Sequence, residues 1–364
     1  VTAPAARPLL EIRDLRVSFP VEGGAARAVD GLDLTVMPGE TVGLVGESGC
    51  GKSVTALAIL RLVEPEGHIA HGSVIRLEGR DLLALPEKEM RNVRGNHVGL
   101  VFQEPLSALN PVLTVGSQIA EVVRTHDRVS RTEARWRAVE LLKLVGVPEP
   151  EKRARHYPHQ LSGGMRQRVM IAIALACRPK LVMADEPTTA LDVTIQAEIL
   201  ELLDNLQRTL GMAVLLITHN FGIVAERTAR VCVMYAGHVV EEASTGRLFA
   251  SPAHPYTQGL LAAVPGLAEP RSRLAAIPGQ VPPATSWPGG CRFHPRCPFA
   301  WEKCRSEPPP PLEVAPGHRA RCWLVTEPER RTRGGTDIPV RRRPDAPTHG
   351  APPASSSGVS EPER

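Results

Sequence analysis

Gly46-Glu47-Ser48-Gly49-Cys50-Gly51-Lys52-Ser53 decides how this chain is read. It matches G-x-x-x-x-G-K-[ST], the pattern of a loop that cradles phosphates. Thr41–Val45, a short apolar run, leads directly into it, and Ser53–Val63 leads out with helical spacing. Strand, glycine loop and helix in that order are the context the motif needs. The residue types follow from the ligand. A triphosphate needs many donors at close range, and Gly46, Gly49 and Gly51 let the backbone curl so that its N–H groups face inward. A helix starting near Lys52 adds the positive end of its dipole. Lys52 is expected to bridge the β- and γ-phosphates and the Ser53 hydroxyl to ligate Mg2+. The nucleotide-contacting segment therefore runs through Gly46, Glu47, Ser48, Gly49, Cys50, Gly51, Lys52, Ser53 and Val54.

A second element lies downstream. Leu181–Glu186 reads LVMADE, an apolar strand ending in two carboxylates. Asp185 would hold Mg2+ through water, and Glu186 would polarise the attacking water as general base. Around these motifs, apolar runs alternate with helical patterns from Leu9 to about Ala250, the mark of an α/β domain. Glu40–Val45, His97–Phe102, Lys180–Ala184 and Ala213–Thr218 read as strands buried on both faces of a parallel sheet. Arg230–Tyr235, Ala236-Gly237 and His238–Glu242 read as a hairpin closing the core. Between Gln103 and Ser162 the pattern turns helical, with Val115–Thr125 and Thr132–Leu144 as the clearest cases, so a helical subdomain of about 104–165 is predicted.

The whole chain has 364 residues, 42% of them hydrophobic, with 43 basic and 39 acidic residues for a net charge of +4. That balance does not point to nucleic acid as a partner. The longest clean apolar run, Val169 to Cys177, is far short of the roughly 20 residues a spanning helix needs. The first residues lack the apolar core of a signal peptide, so a cytoplasmic location is expected. Residues 1–8 read as a loose end, 251–325 as a small Cys/Pro-rich accessory region, and 326–364 as a disordered tail. Four of the seven cysteines fall in the accessory region, spaced C-x5-C-x6-C-x17-C at Cys291, Cys297, Cys304 and Cys322. Four thiolates suit Zn2+ or a [4Fe–4S] cluster, although zinc sites more often contain C-x2-C pairs. Free or partly oxidised thiols are the plain alternative, and His294 and His318 are spare potential ligands, with solvated side chains as the alternative.

Leu161–Arg168 reads LSGGMRQR. Together with the phosphate loop and the Asp-Glu strand, it resembles the ATP-binding-cassette family, and the resemblance covers about residues 9–325. It implies a mostly parallel core sheet with an antiparallel β part beside the helical subdomain. It implies that Gln103 senses Mg2+ and the membrane partner, that Ala190-Leu191-Asp192 crosses a dimer interface, and that His219 contacts the γ-phosphate. Phe19 would stack on adenine, with a core strand residue as the alternative. Ser162, Gly163 and Gly164, with Gln167 behind them, would close over ATP held by a second subunit, ATP lying between two cassettes. Ser251–Pro265, Ile277–Pro283 and Gly290–Cys304 further resemble the ATP-binding subunits of oligopeptide, dipeptide and nickel importers. That subfamily implies a [4Fe–4S] cluster on the four cysteines. It also implies two membrane permeases, a second and different ATPase, and indirectly an extracytoplasmic solute-binding protein, at the cytoplasmic face of the membrane. The rival function is a soluble ATPase of the carbon–phosphorus lyase type; a binding module with a dead nucleotide site is opposed by intact Lys52, Asp185, Glu186 and His219.

Overall fold

The computed structural model describes residues 7–63, 66–189, 191–264 and 277–334. Two sheets form its frame. The larger is eight-stranded, in the order Leu312–Ala315, His318–Ala320, His238–Ser244, Arg230–Tyr235, Thr41–Val45, Ala213–Thr218, Leu181–Asp185, Val98–Val101. From Arg230–Tyr235 to Val98–Val101 every pairing is parallel. The strand Ala213–Thr218 is buried along its whole length, which explains a continuous apolar run where an alternating pattern would mark a one-sided sheet. The second sheet is antiparallel and comes from the N-terminal part: Gly24–Val36, Leu10–Val21, Val74–Leu77 and Arg80–Asp81, with His68–Ile69 also on Leu10–Val21. One hydrophobic core joins the two sheets, Ile12, Leu15 and Leu32 meeting Ala56, Ile59, Met183 and Leu215.

The strands lie where the sequence puts them, with shifts at their ends. The first core strand starts at Thr41, since the Glu40 N–H closes a turn on the Met37 carbonyl at 3.1 Å, while the Glu40 carboxylate accepts from the Met37 N–H at 2.8 Å and from Arg230 Nε at 2.9 Å. Leu181–Asp185 runs one residue further than expected and carries Asp185 to the sheet's end, opposite Ile217. The helical insertion is present as Val115–His126 and Arg131–Leu144, capped by the hydroxyls of Thr114 and Ser130 and packed through Ile119, Val123, Ala134, Ala138 and Leu142.

The accessory region departs from expectation. Its strands His318–Ala320 and Leu312–Ala315 extend the main sheet at the edge of His238–Ser244. Tyr256 and Phe293 pack with Val45, Val233 and Tyr235 in a shared core. Fully buried Glu241 ties the two parts together: its carboxylate accepts from the Ala253 and His254 N–H groups at 2.6 and 2.9 Å and pairs with His318 Nε2 at 2.7 Å. Residues 326–334, expected within the tail, carry structure. Pro328–Gly334 forms 3-10 turns, and Glu327 is bonded to both Lys303 and Arg330. Residues 335–364 lie outside the described part, as do 1–6.

Candidate active site

The phosphate loop leaves the strand Thr41–Val45 and ends in the helix Lys52–Ile59. Its glycines serve two purposes. A Cβ on Gly46 would lie 2.2 Å from the Met234 carbonyl oxygen, and one on Gly51 would lie 2.4 Å from that of Ala28, so both permit a close backbone approach. Gly49, at φ +79°, has nothing within 4 Å of its Cβ position, which leaves open space on the exposed side of the loop. Ser48 and Gly49 are exposed, whereas Cys50 is buried and Val54 packs on the core. Lys52, 5% exposed, donates to the carbonyls of Gly46 at 2.8 Å and Glu47 at 3.0 Å. Phe19 is half-buried and packs against the same core, in register with Ala26.

Glu186 sits at the centre. It follows the strand that ends at Asp185, has φ +45°, and donates its N–H to the Ile217 carbonyl at 2.8 Å. For a residue with a side chain this left-handed conformation costs about 1–3 kcal/mol, and such strain collects at functional sites. Its carboxylate gathers three partners: Gln103 Nε2 at 3.1 Å and Thr189 Oγ at 2.9 Å on one oxygen, His219 Nδ1 at 3.0 Å on the other. Burial opposes its ionisation. The hydrogen bonds from His219 and Thr189, with the charges of His219 and Lys52, outweigh that and hold the carboxyl below the usual carboxylate range. The sequence singled out Gln103, Glu186 and His219; it did not single out Thr189, whose role appears only when the loop after Glu186 turns back.

Asp185 behaves in the opposite way. Burial pushes its carboxyl up and the neighbouring Glu186 adds to this, against the Ser53 hydroxyl and Lys52. One of its oxygens, Oδ1, is buried without a hydrogen-bond partner. A buried orphan acceptor is costly unless a cation or water meets it. Ser53 and Asp185 thus fit Mg2+, a hard cation that needs few protein oxygens when phosphates and water supply the rest. When bound, Mg2+ would neutralise phosphate charge.

The segment Leu161–Arg168 is built differently. Ser162 caps the helix Gly163–Ala174, its hydroxyl accepting from the Met165 N–H at 3.3 Å. A Cβ on Gly164 would lie 2.8 Å from Ile195 and one on Gly163 would lie 3.3 Å from Leu191. These glycines let the segment lie close to the loop and helix that follow Glu186. Gln167 is 2% exposed, with its amide nitrogen unpartnered, so it faces the interior and not the open surface with Ser162. Asp192 caps the helix Val193–Leu210 through the Ile195 N–H at 2.9 Å; Ala190 lies outside the described residues.

All seven cysteines are free thiols. Cys291, Cys297, Cys304 and Cys322 share one neighbourhood: the Cys291 N–H donates to the Cys304 carbonyl at 2.8 Å, and Cys291, Cys297 and Cys304 all raise the pKa of Cys322. Burial is the larger cause and pushes Cys291 to about 11 and Cys297 to about 12. Yet among the described residues no group of three or more His, Cys, Asp or Glu side chains could hold a metal ion. The iron–sulfur cluster, and zinc with it, does not fit these thiols as they stand. His318 is buried and engaged by Glu241 through Nε2, and His294 meets the Cys291 carbonyl through Nδ1 at 3.0 Å.

Two family models match the chain. Residues 29–189 match the family described as ABC transporter, and residues 240–304 match the oligopeptide/dipeptide transporter C-terminal region. A probable peptide ABC transporter ATP-binding protein of Sinorhizobium fredii, y4tR, is 53% identical over 325 residues, covering 89% of this chain and 97% of the relative. The chain belongs to the ATP-binding subunits of ABC transporters. The oligopeptide transport ATP-binding protein AppD of Bacillus subtilis is 50% identical over 319 residues, covering 88% of this chain and 97% of AppD. Among solved structures, a dimeric post-hydrolysis state of the cassette MJ0796 bound to ADP and Pi superposes with a TM-score of 0.58 at 30% identity, covering 65% of this chain and 98% of that one. CbiO1 of Clostridium perfringens gives 0.57 at 26% identity, covering 67% and 91%. This ABC subunit is an ATPase of the mixed α/β cassette fold, and its family implies membrane permease partners.

Proposed function

We propose that this ABC subunit powers the import of di- or oligopeptides, with the carboxylate of Glu186 as the base that turns over ATP. The observation that carries the chemistry is the threefold anchoring of Glu186 by Gln103, Thr189 and His219. An ionised carboxylate held between donors from three segments can orient a water and accept its proton. Lys52, on the carbonyls of its own loop, would move to the β- and γ-phosphates, and Ser53 and Asp185 would hold Mg2+. Ser162, Gly163 and Gly164 would meet ATP on a second cassette, so that ATP lies between two subunits and its hydrolysis releases them. The exposure of Ser162 at the N-terminus of its helix supports this.

The peptide cargo rests on the relatives' names and on the match of residues 240–304. With them come two permeases, a second ATPase and an outer solute-binding protein. No described helix is long and apolar enough to cross a membrane, so the subunit would act from the membrane's cytoplasmic face through those permeases. Affinity purification from native membranes in mild detergent, with mass spectrometry of the companions, tests the reading. Two multi-span permeases and a second ATPase are expected. Soluble enzymes alone, at every detergent strength, would overturn it in favour of a lyase-type complex.

A further inference from the structure

One acidic side chain on the phosphate loop needs an explanation. Glu47 is the first variable residue of G-x-x-x-x-G-K-S, on a loop that must receive a polyanion, and a carboxylate there opposes the ligand's charge. Here it is answered from the C-terminal region. Arg296 places its guanidinium fork on Glu47, Nη1 to Oε2 at 2.7 Å and Nη2 to Oε1 at 3.1 Å. Two parallel bonds of this kind are the strongest pairing an arginine makes with a carboxylate. The Arg296 side chain is 6% exposed and fixed at its other edge, Nε donating to the Pro278 carbonyl at 2.8 Å, with the ring of Tyr235 5.7 Å away. The same residue is held a second time: the Glu47 N–H donates to the hydroxyl of fully buried Tyr256 at 3.0 Å. Since Lys52 donates to the Glu47 carbonyl, every polar group of Glu47 has a partner, two of them from the C-terminal region.

We propose that Arg296 and Tyr256 are positioning residues of the ATP site, through which the C-terminal region sets the charge and the backbone placement of the phosphate loop. Arg296 neutralises Glu47 so that the loop accepts triphosphate. Tyr256 fixes the Gly46–Glu47 peptide. Nothing in the local motif calls for either, and both lie more than 200 residues downstream. The C-terminal region is then a control point for ATP affinity: whatever displaces Arg296, one residue before Cys297, uncovers a negative charge beside the phosphates.

The test is Mg·ATP affinity by calorimetry, with KM and kcat for phosphate release, on the full-length chain. Arg296→Ala is expected to weaken binding about tenfold, the effect of one uncompensated charge nearby, with kcat within about threefold of wild type. Glu47→Gln in the Arg296→Ala background is expected to restore affinity, since the charge that Arg296 answers is gone. Tyr256→Phe keeps the buried ring and removes only the acceptor, and is expected to raise KM alone. Lys303→Ala, which breaks the pair with Glu327 in the same region, is expected to leave KM unchanged. Should Arg296→Ala fail to fold, Arg296→Gln, which keeps most of the buried side chain but not its charge, and Tyr256→Phe carry the test. Wild-type affinity in folded Arg296→Ala, or in both fallback variants, would overturn the proposal. So would a double variant as weak as Arg296→Ala.

Discussion

Glu186→Gln separates the shape of the catalytic centre from its charge. The amide has the carboxylate's volume, and its oxygen can take the place of Oε2, accepting from Gln103 and Thr189 at 3.1 and 2.9 Å. Its NH2 then faces His219 Nδ1, 3.0 Å away, which can accept when the ring proton sits on Nε2. The backbone, already at φ +45°, is not asked to change. Two small effects on stability oppose each other: weaker hydrogen bonds at Glu186, at about 1 kcal/mol, and relief of the negative charge beside Asp185. The fold and ATP binding are therefore expected to survive. Proton acceptance is not. Loss of a positioned base lowers turnover by about 100- to 10,000-fold, or roughly 3–5 kcal/mol of barrier. Phosphate release at saturating Mg·ATP gives the rate, and gel filtration with ATP is expected to show dimers accumulating. A folded variant that turns over within about threefold of wild type would refute the role of Glu186 as base.

Other expectations follow from single contacts. His219→Ala removes the partner that most lowers the Glu186 carboxyl, so the acid limb of the pH–rate profile is expected to move to higher pH; an unmoved limb would separate the two residues. Burial depresses His254 to about 4, so its ring stays neutral in the fold and only the unfolded chain binds the proton. Its contribution is fully present above about pH 6.5 and lost as pH falls toward 4, in all about 3 kcal/mol, and His254→Asn is expected to flatten that part of the stability curve in urea titrations. Gly51→Ala forces a Cβ to 2.4 Å from the Ala28 carbonyl and is expected to destabilise the fold, measured by urea unfolding. Gly49→Ala meets open space, costs about 1–2 kcal/mol for its left-handed backbone, and is expected to reduce Mg·ATP affinity instead.

What the sequence made legible is what is contiguous. The phosphate loop, the strand into Asp185-Glu186 and the Ser162 cap are each one turn of chain, and their chemistry follows from adjacent residue types. The helical insertion was legible because apolar spacing repeats at Ile119, Val123, Ala134, Ala138 and Leu142. The N-terminal antiparallel sheet carried no clear pattern, because bulges between Ile12 and Arg16, with Asp14 at φ +44°, break the alternation of Leu10–Val21. Thr189, Tyr256 and Arg296 were not legible at all. Their contacts depend on how distant segments meet, and a lone Thr, Tyr or Arg in a sequence does not show its partner. The cysteine spacing illustrates the converse, since a regular-looking set of four thiols does not guarantee a metal-holding arrangement.

The family matches divide the chain into a cassette and a C-terminal region, but the packing does not. Tyr235 from the core sheet lies 4.6 Å from Tyr256 and 5.2 Å from Phe293 between ring centroids, and Leu261 is buried in the same cluster. Burying Tyr256, Leu261 and Phe293 is worth about 1.5–3 kcal/mol each, which together approaches the whole net stability of an ordinary domain. Cutting the chain after Ala250 would bare Val45, Val233, Tyr235 and Val240, strip Glu241 of His318, and leave the edge of His238–Ser244 unpaired. A chain ending at residue 250 is therefore expected to aggregate or unfold without a cooperative transition, although it retains every phosphate-loop and carboxylate motif. Circular dichroism on heating and Mg·ATP calorimetry decide the matter. Cooperative unfolding with full-length affinity would mean that the motif-bearing segment is self-sufficient and that Glu47 needs nothing from beyond it.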